Sequence, residues 1–181
     1  MIKMLICGLG GVGSMFSKGI YELIEKGQLD VDVTIIDNDI VEMNQIKYQN
    51  FTVEDIGKSK AEVLGKRYDF KFIIDRVLDD KYLKGYDLIV LCVDNNKCRK
   101  IVFDSGFEFI DLRATGRTMF AMSPGYPKFI DKDVNEYSCQ KKADLDKGWI
   151  QMGSQIIALI GCQMILNFSR GLNNRAISLF V

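Results

Sequence analysis

Met4-Leu5-Ile6-Cys7-Gly8-Leu9-Gly10-Gly11-Val12-Gly13-Ser14 decides how this chain is read. Met4 to Cys7 is a short apolar run of the kind that forms a strand buried on both faces. A helical pattern follows the glycines and extends to about Lys26. A G-x-G-x-x-G turn between a strand and a helix is a nucleotide-binding signal with a mechanism. Gly8 permits the tight turn, and Gly10 removes a side chain that would block a phosphate. Gly13 lets helix and strand approach closely, and Gly11 contributes to the helix start, where backbone amides face phosphate oxygens. The next strand, Val31 to Asp37, ends in Asp37 and Asp39. Asp37 is placed to accept hydrogen bonds from ribose hydroxyls. This pattern indicates a nucleotide without saying which one.

Outward from that turn, strand and helix alternate. Residues 40 to 57 read as irregular and Ser59 to Tyr68 as a helix. Strands are expected at Phe70 to Val77, Asp87 to Val93, Phe107 to Leu112 and Thr118 to Met122, with a helix over Asn95 to Ser105. Ser123 to Gly148 loses the pattern and predicts a long mobile loop. Trp149 to Arg170 predicts a long helix capped by Gly171, and Ala176 to Val181 a closing strand. The expectation is an α/β fold, a Rossmann-like doubly wound and largely parallel sheet with helices on both faces, over one domain spanning 1–181. The ligand crevice would lie at the carboxyl ends of the strands.

Composition narrows the chemistry. Among 181 residues, 24 basic side chains balance 24 acidic ones, so no net charge drives binding to nucleic acid or to an anionic membrane. The absence of histidine removes imidazole bases and histidine metal sites. The five cysteines form no C-x-x-C pair, so neither zinc nor a disulfide framework is expected. The start of the chain predicts no signal peptide, and a cytoplasmic location is expected. Ile150 to Phe168 is apolar but carries Gln151, Ser154, Gln155, Gln163 and Asn167, which favours a helix packed on a sheet over a membrane span.

Three ordered motifs extend the reading. They are G-x-G-G-V-G-S at residues 8–14, the segment from Asp37-Asn38-Asp39-Ile40-Val41 to Asp55-Ile56-Gly57-Lys58-Ser59-Lys60-Ala61, and Asp87 to Asn95 with Arg99 five residues after Asp94. Together they resemble the ThiF/MoeB/ubiquitin-activating adenylyltransferases, whose second motif is written roughly D-x-D-x-V-x-x-x-N-L-x-R-Q, then D-x-G-x-x-K-A. The resemblance spans about residues 3 to 112. It implies an ATP-dependent adenylyltransferase that activates the C-terminal carboxylate of a ubiquitin-like or sulfur-carrier protein, or of a peptide. Asp37, with Asp39 and Asn44 beside it, would hold the nucleotide. Lys60 would contact the phosphates, and Asp94 would act through Mg2+. Relatives are commonly homodimers, which is expected here too.

One departure from the pattern lies within the second motif. Asn44-Gln45-Ile46-Lys47-Tyr48-Gln49 is one residue short, so either Lys47 or Tyr48 stands where the family has arginine. Lys47 is slightly favoured as the phosphate contact. The expectation is then either weak turnover or compensation by a residue such as Arg113 or Arg117 or by a partner's side chain. Cys139 falls where several members carry a thiol that takes the activated partner, with Lys141 and Lys142 adjacent; the competing reading is a packing or loop cysteine. Cys7 and Cys92 read as core. Two other functions compete: an ATP-binding pseudoenzyme or scaffold subunit, and, less favoured, an NAD-dependent oxidoreductase.

Overall fold

β1 (Ile2–Cys7) is the middle of the structure, flanked by β2 (Val31–Ile36) and β4 (Leu88–Leu91), both parallel to it. The computed structural model describes residues 1–115, 117–124, 140 and 142–180. Adding β3 (Lys71–Ile73), β5 (Phe109–Thr115), β6 (Thr118–Met122) and β7 (Ile177–Phe180) gives the order β3-β2-β1-β4-β5-β6-β7. The five strands from β3 to β5 are parallel, and the β5–β6 and β6–β7 pairs are antiparallel. The chain winds outward from β1 in one direction and then in the other, which makes the sheet doubly wound and Rossmann-like.

Alternation along each strand sorts the core onto two faces. Met4 and Ile6, Leu88 and Val90, and Ile110, Leu112 and Ala114 pack with α1 (Gly11–Glu25), α2 (Lys60–Tyr68) and α5 (Gly153–Ser169). Leu5 and Cys7, Ile89 and Leu91, and Phe109 pack on the other face with α3 (Asn96–Ser105) and with Leu83 from the 3-10 turn at Asp80–Leu83. Phe16 of α1 is fully buried, and α5 crosses it closely at Gly161, where an added Cβ would meet both Phe16 and Leu112.

Several sequence-based boundaries are corrected. The strand expected at 70–77 is only Lys71–Ile73, because its partner β2 stops at Ile36, opposite Ile73; the chain then leaves the sheet. The strand expected at 107–112 begins and ends later, at Phe109–Thr115, because antiparallel pairing with β6 carries it to Thr115 opposite Thr118. The long helix begins at Gly153 rather than Trp149. The amide of Trp149 donates to the carbonyl of Asp144, and that of Gln151 donates to the side chain of Gln140, so these residues close onto the preceding segment instead. Within the stretch read as a loop, Lys142–Leu145 forms the short helix α4, and the remainder that is described includes this Gln140–Gln151 pairing. Gly171, with φ 66°, follows the last helical turn as expected. No helix of the described residues is long and apolar enough to cross a membrane.

Candidate functional site

The carboxyl ends of β1, β2, β4 and β5 open into one cleft with a cavity of about 950 Å3, at the point where the winding reverses between β1 and β4. Its floor is the glycine turn. Gly8 has φ 87°, a conformation that side chains rarely adopt. A Cβ on Gly13 would lie 1.9 Å from the Gly8 carbonyl oxygen, so the turn closes only because that position is glycine. Gly10 and Gly11 line the cleft at the start of α1, and among the described residues there is nothing within 4 Å of a Cβ added at Gly10. Gly10 therefore leaves space where a phosphate would lie, with the unsatisfied amides of the first helical turn behind it.

Asp37 stands at the cleft edge, just after β2. Its carboxylate accepts from the backbone N–H of Leu9 and, at 2.7 Å, from that of Asp39, which fixes its orientation beside the glycine turn. Burial raises its pKa; the Asp39 and Leu9 amides and the nearby Lys60 ammonium act against that rise without cancelling it. Lys60 reaches the same cleft because residues 39–41 and 57–60 are zipped together. An antiparallel bridge joins Ile40 to Ser59, and Lys60 N–H donates to the Asp39 carbonyl. The Lys60 side chain is only 4% exposed and its ammonium lies 3.5 Å from the Asp39 carboxylate. The Ser59 hydroxyl caps α2 by accepting from the Glu62 amide.

Asp94 is an exposed carboxylate on the cleft wall, in the turn between β4 and α3. That turn is braced by Arg99, which is fully buried. Its guanidinium donates to the carbonyls of Val93 and Asn95 and to the Asp111 carboxylate at 3.2 Å. Asn95 caps α3 by accepting from the Cys98 amide. The next charged residue along β5, Arg113, also lines the cleft and donates through Nε and Nη2 to Asp111.

Of the residues singled out from sequence, Gly8, Gly10, Gly11, Asp37, Asp39, Lys60 and Asp94 come together around this cavity, with Gly13 packed directly beneath the turn. Asn44 and Lys47 do not line it; both are exposed in the turns before Gln49, and Tyr48 and Gln49 face the cleft instead. Gln49 is 8% exposed, and among the described residues its buried Oε1 has no hydrogen-bond partner. Asp55 holds the segment in place: burial works to raise its pKa, but the Thr52 amide and the Arg67 guanidinium outweigh that and leave it low. Cys139 lies outside the described residues. Cys7 and Cys92 are buried, and their thiols are pushed up, Cys7 by its hydrogen bond to Cys98 and by burial, Cys92 by burial. Both are therefore poor nucleophiles.

Sequence reasoning missed two parts of the cleft. Asp75 to Val77, read as strand, and Leu78 after them turn back to line it. Arg113 was named only as a substitute for the arginine of the family pattern, and its partner Asp111 was not singled out; the two, at i and i+2 of a strand, share one face, and that spacing was a usable signal.

The arrangement offers backbone amides and a buried ammonium for phosphate oxygens, a fixed carboxylate for a sugar, and an open carboxylate suited to a hard cation. Among the described residues, no three His, Cys, Asp or Glu side chains cluster as a metal cage. A Mg2+ ion fits Asp94 because it commonly takes one or two carboxylates, with substrate phosphates completing its shell.

Three comparisons bear on what this cleft belongs to. A structure of E. coli MccB matches with a TM-score of 0.71 and 20% identity, covering 99% of this chain and 59% of that one. E. coli MccB with ATP matches with a TM-score of 0.66 and 19% identity, over 99% and 60%. E. coli tRNA N6-threonylcarbamoyladenosine dehydratase, TcdA, in complex with AMP matches with a TM-score of 0.69 and 13% identity, over 94% and 86%. MccB has also been crystallised with AMPCPP and MccA. The chain thus spans about three fifths of the length of the MccB structures it matches. No curated protein matches significantly. The ThiF family model matches residues 1–167, most of the sheet and its helices, and on that match the chain belongs to the ThiF family.

Proposed function

We propose that this protein adenylates a carboxylate with ATP, the acceptor being the C-terminus of a ubiquitin-like or sulfur-carrier protein or of a peptide. The observation that carries the reading is the convergence of the glycine turn, Asp37, Lys60 and Asp94 on one cavity at the switch point of the sheet. The similar folds crystallised with ATP, AMPCPP and AMP support a nucleotide there, and the MccB–MccA complexes support a second molecule beside it.

In this mechanism Asp37 accepts the ribose hydroxyls, and the amides after Gly10 hold the phosphates. A carboxylate oxygen of the acceptor attacks the α-phosphorus in line, the bond to the bridging oxygen breaks, and pyrophosphate departs with the electron pair. The nucleophile is already ionised at neutral pH, so no general base is needed, consistent with a chain that has no histidine. Lys60 supplies positive charge where charge develops on the leaving phosphates. Magnesium, when bound at Asp94, would neutralise further phosphate charge. Homodimerisation belongs to the same proposal and is tested by sedimentation equilibrium.

ATP–pyrophosphate exchange with candidate carboxyl-terminal peptides tests the reaction. Tight ATP binding with no exchange for any acceptor would instead favour a pseudoenzyme, the reading to which Tyr48 in the arginine position points.

Asp37 gives a separate expectation. Its raised pKa means the folded state holds this proton more readily than the unfolded chain. Its contribution to stability is thus full below the unfolded value near 3.8 and is lost as pH rises through the raised folded value. Thermal melts of wild type and Asp37→Asn compared between about pH 4 and 7 will show the wild type losing ground as pH rises. Calorimetry will show ATP binding weakened roughly 10- to 100-fold in the variant, the loss of a charge-assisted bond.

A further inference from the structure

Arg99, Asp111 and Arg113 form a charged cluster beside the turn that carries Asp94, each no more than 2% exposed. Fold stability alone gives no reason for it, since apolar side chains of similar volume often serve at least as well in such a place. The bonds of the cluster converge on that turn. The guanidinium of Arg99 donates to the carbonyls of both neighbours of Asp94, to Val93 through Nη2 and to Asn95 through Nη1 at 3.3 Å. Its Nε donates to Asp111 Oδ1 at 3.2 Å. The second oxygen of Asp111 accepts from Arg113 Nε at 2.8 Å and from Arg113 Nη2. The turn between β4 and α3 is thereby fastened from inside to β5.

Asp94 itself is exposed, and among the described residues its carboxylate has only a long hydrogen bond, 3.5 Å, from Asn95 Nδ2. Its place in the cleft is thus set by its backbone, and its backbone is held by Arg99. For a cation site this is consequential, because Mg2+ demands near-octahedral oxygen ligands at about 2.1 Å. A carboxylate that drifts with its loop meets that demand poorly.

We propose that Arg99 is a positioning residue: anchored by Asp111 and Arg113, it holds Asp94 where the carboxylate meets a nucleotide-bound Mg2+. This rests on the adenylation reading above. The Arg99 side chain is fully buried, so it acts through Asp94 rather than on the nucleotide. Supporting groups of this kind, which orient a metal-binding side chain without touching the metal, carry much of a site's affinity. A lysine keeps the charge but cannot span two carbonyls and a carboxylate with one planar group.

Titration calorimetry with AMPCPP on the full chain, in Mg2+ and in EDTA, separates metal-dependent from metal-independent binding. Wild type should bind AMPCPP more tightly in Mg2+. Arg99→Lys should stay within about twofold of wild type in EDTA and bind roughly 10- to 100-fold more weakly in Mg2+, the usual cost of removing such support. Asp94→Asn should lose the same magnesium-dependent gain. Adding Arg99→Lys to Asp94→Asn should then change little, because two residues that act as one unit are not additive. A merely structural Arg99 would weaken AMPCPP equally in Mg2+ and EDTA, or would add its full effect to that of Asp94→Asn. Either result overturns the proposal, as does an Arg99→Lys variant that binds like wild type in both conditions. Should Arg99→Lys melt below the assay temperature, Asp111→Asn, which keeps the volume and weakens the anchor, takes its place, with the same split expected at several-fold. A wild type that binds AMPCPP equally in Mg2+ and EDTA would remove the metal from the adenylation reading and the proposal with it. A wild type that gains from Mg2+ while the variants are additive would remove the proposal alone.

Discussion

Gly13→Ala will destabilise the protein by about 3 kcal/mol or more, lowering the melting midpoint by about 6–12 °C for a chain of this size. The added methyl would lie 1.9 Å from the carbonyl oxygen of Gly8, an atom with no rotamer to escape into, and 3.1 Å from Cys92 Cβ. Gly8 is itself pinned, at φ 87° and with Cys92 backbone atoms about 3 Å from where its own Cβ would be. Relief would require pulling α1 away from β1 and β4, at the centre of the sheet. Gly10→Ala is the matched control, because nothing stands within 4 Å of its Cβ and its φ is −71°. It should melt within about 0.5 kcal/mol of wild type and yet bind ATP more weakly, since the methyl enters the cleft. A Gly13→Ala variant that melts like wild type would contradict the packing described for the turn.

Lys60→Met is expected to lower ATP–pyrophosphate exchange by about 100- to 1000-fold, the usual cost of removing one preorganised group that stabilises transition-state charge. The ammonium is buried in the cleft, and its ion-pair partner Asp39 is 60% exposed, so the pair contributes little to folding. The variant's melting temperature should therefore stay close to that of wild type while its activity falls. Lys60→Arg keeps the charge with a different shape and should recover only part of the rate. Exchange that survives Lys60→Met unchanged would remove Lys60 from the mechanism.

The sheet and the floor of the cleft were legible in the sequence because the signals that specify them are local. An apolar run, a glycine turn and a following strand ending in Asp37 occupy consecutive residues, and each has one physical meaning in that order. Lys60 was legible through its motif, and the bridge between Ile40 and Ser59 shows how that motif reaches the site. The segment 44–49 was ambiguous for a physical reason: one missing residue leaves two registers, and a linear chain does not show that Tyr48 and Gln49, rather than Lys47, line the cleft. Asp75 to Val77 looked like the end of a strand because the run from Phe70 carries no mark of where its partner ends. Arg113 was considered only as a stand-in for the missing arginine, because nothing in a linear chain shows that Asp111 lies between it and Arg99.

The far rim of the sheet is made differently. There the chain turns back through Gly27, Gly85 and Gly106, all at positive φ and, among the described residues, with nothing within 4 Å of an added Cβ, while the crowded glycines lie at the cleft, between helices or between helix and sheet. At Gly8 and Gly13 the cleft end is thus intolerant of even a methyl group, and the other end is open to revision. Reporter groups, affinity handles or inserted peptides grafted at those three bends would sit a full strand length from the chemistry, and natural variation in what this protein docks against has the same ground on which to accumulate without disturbing it.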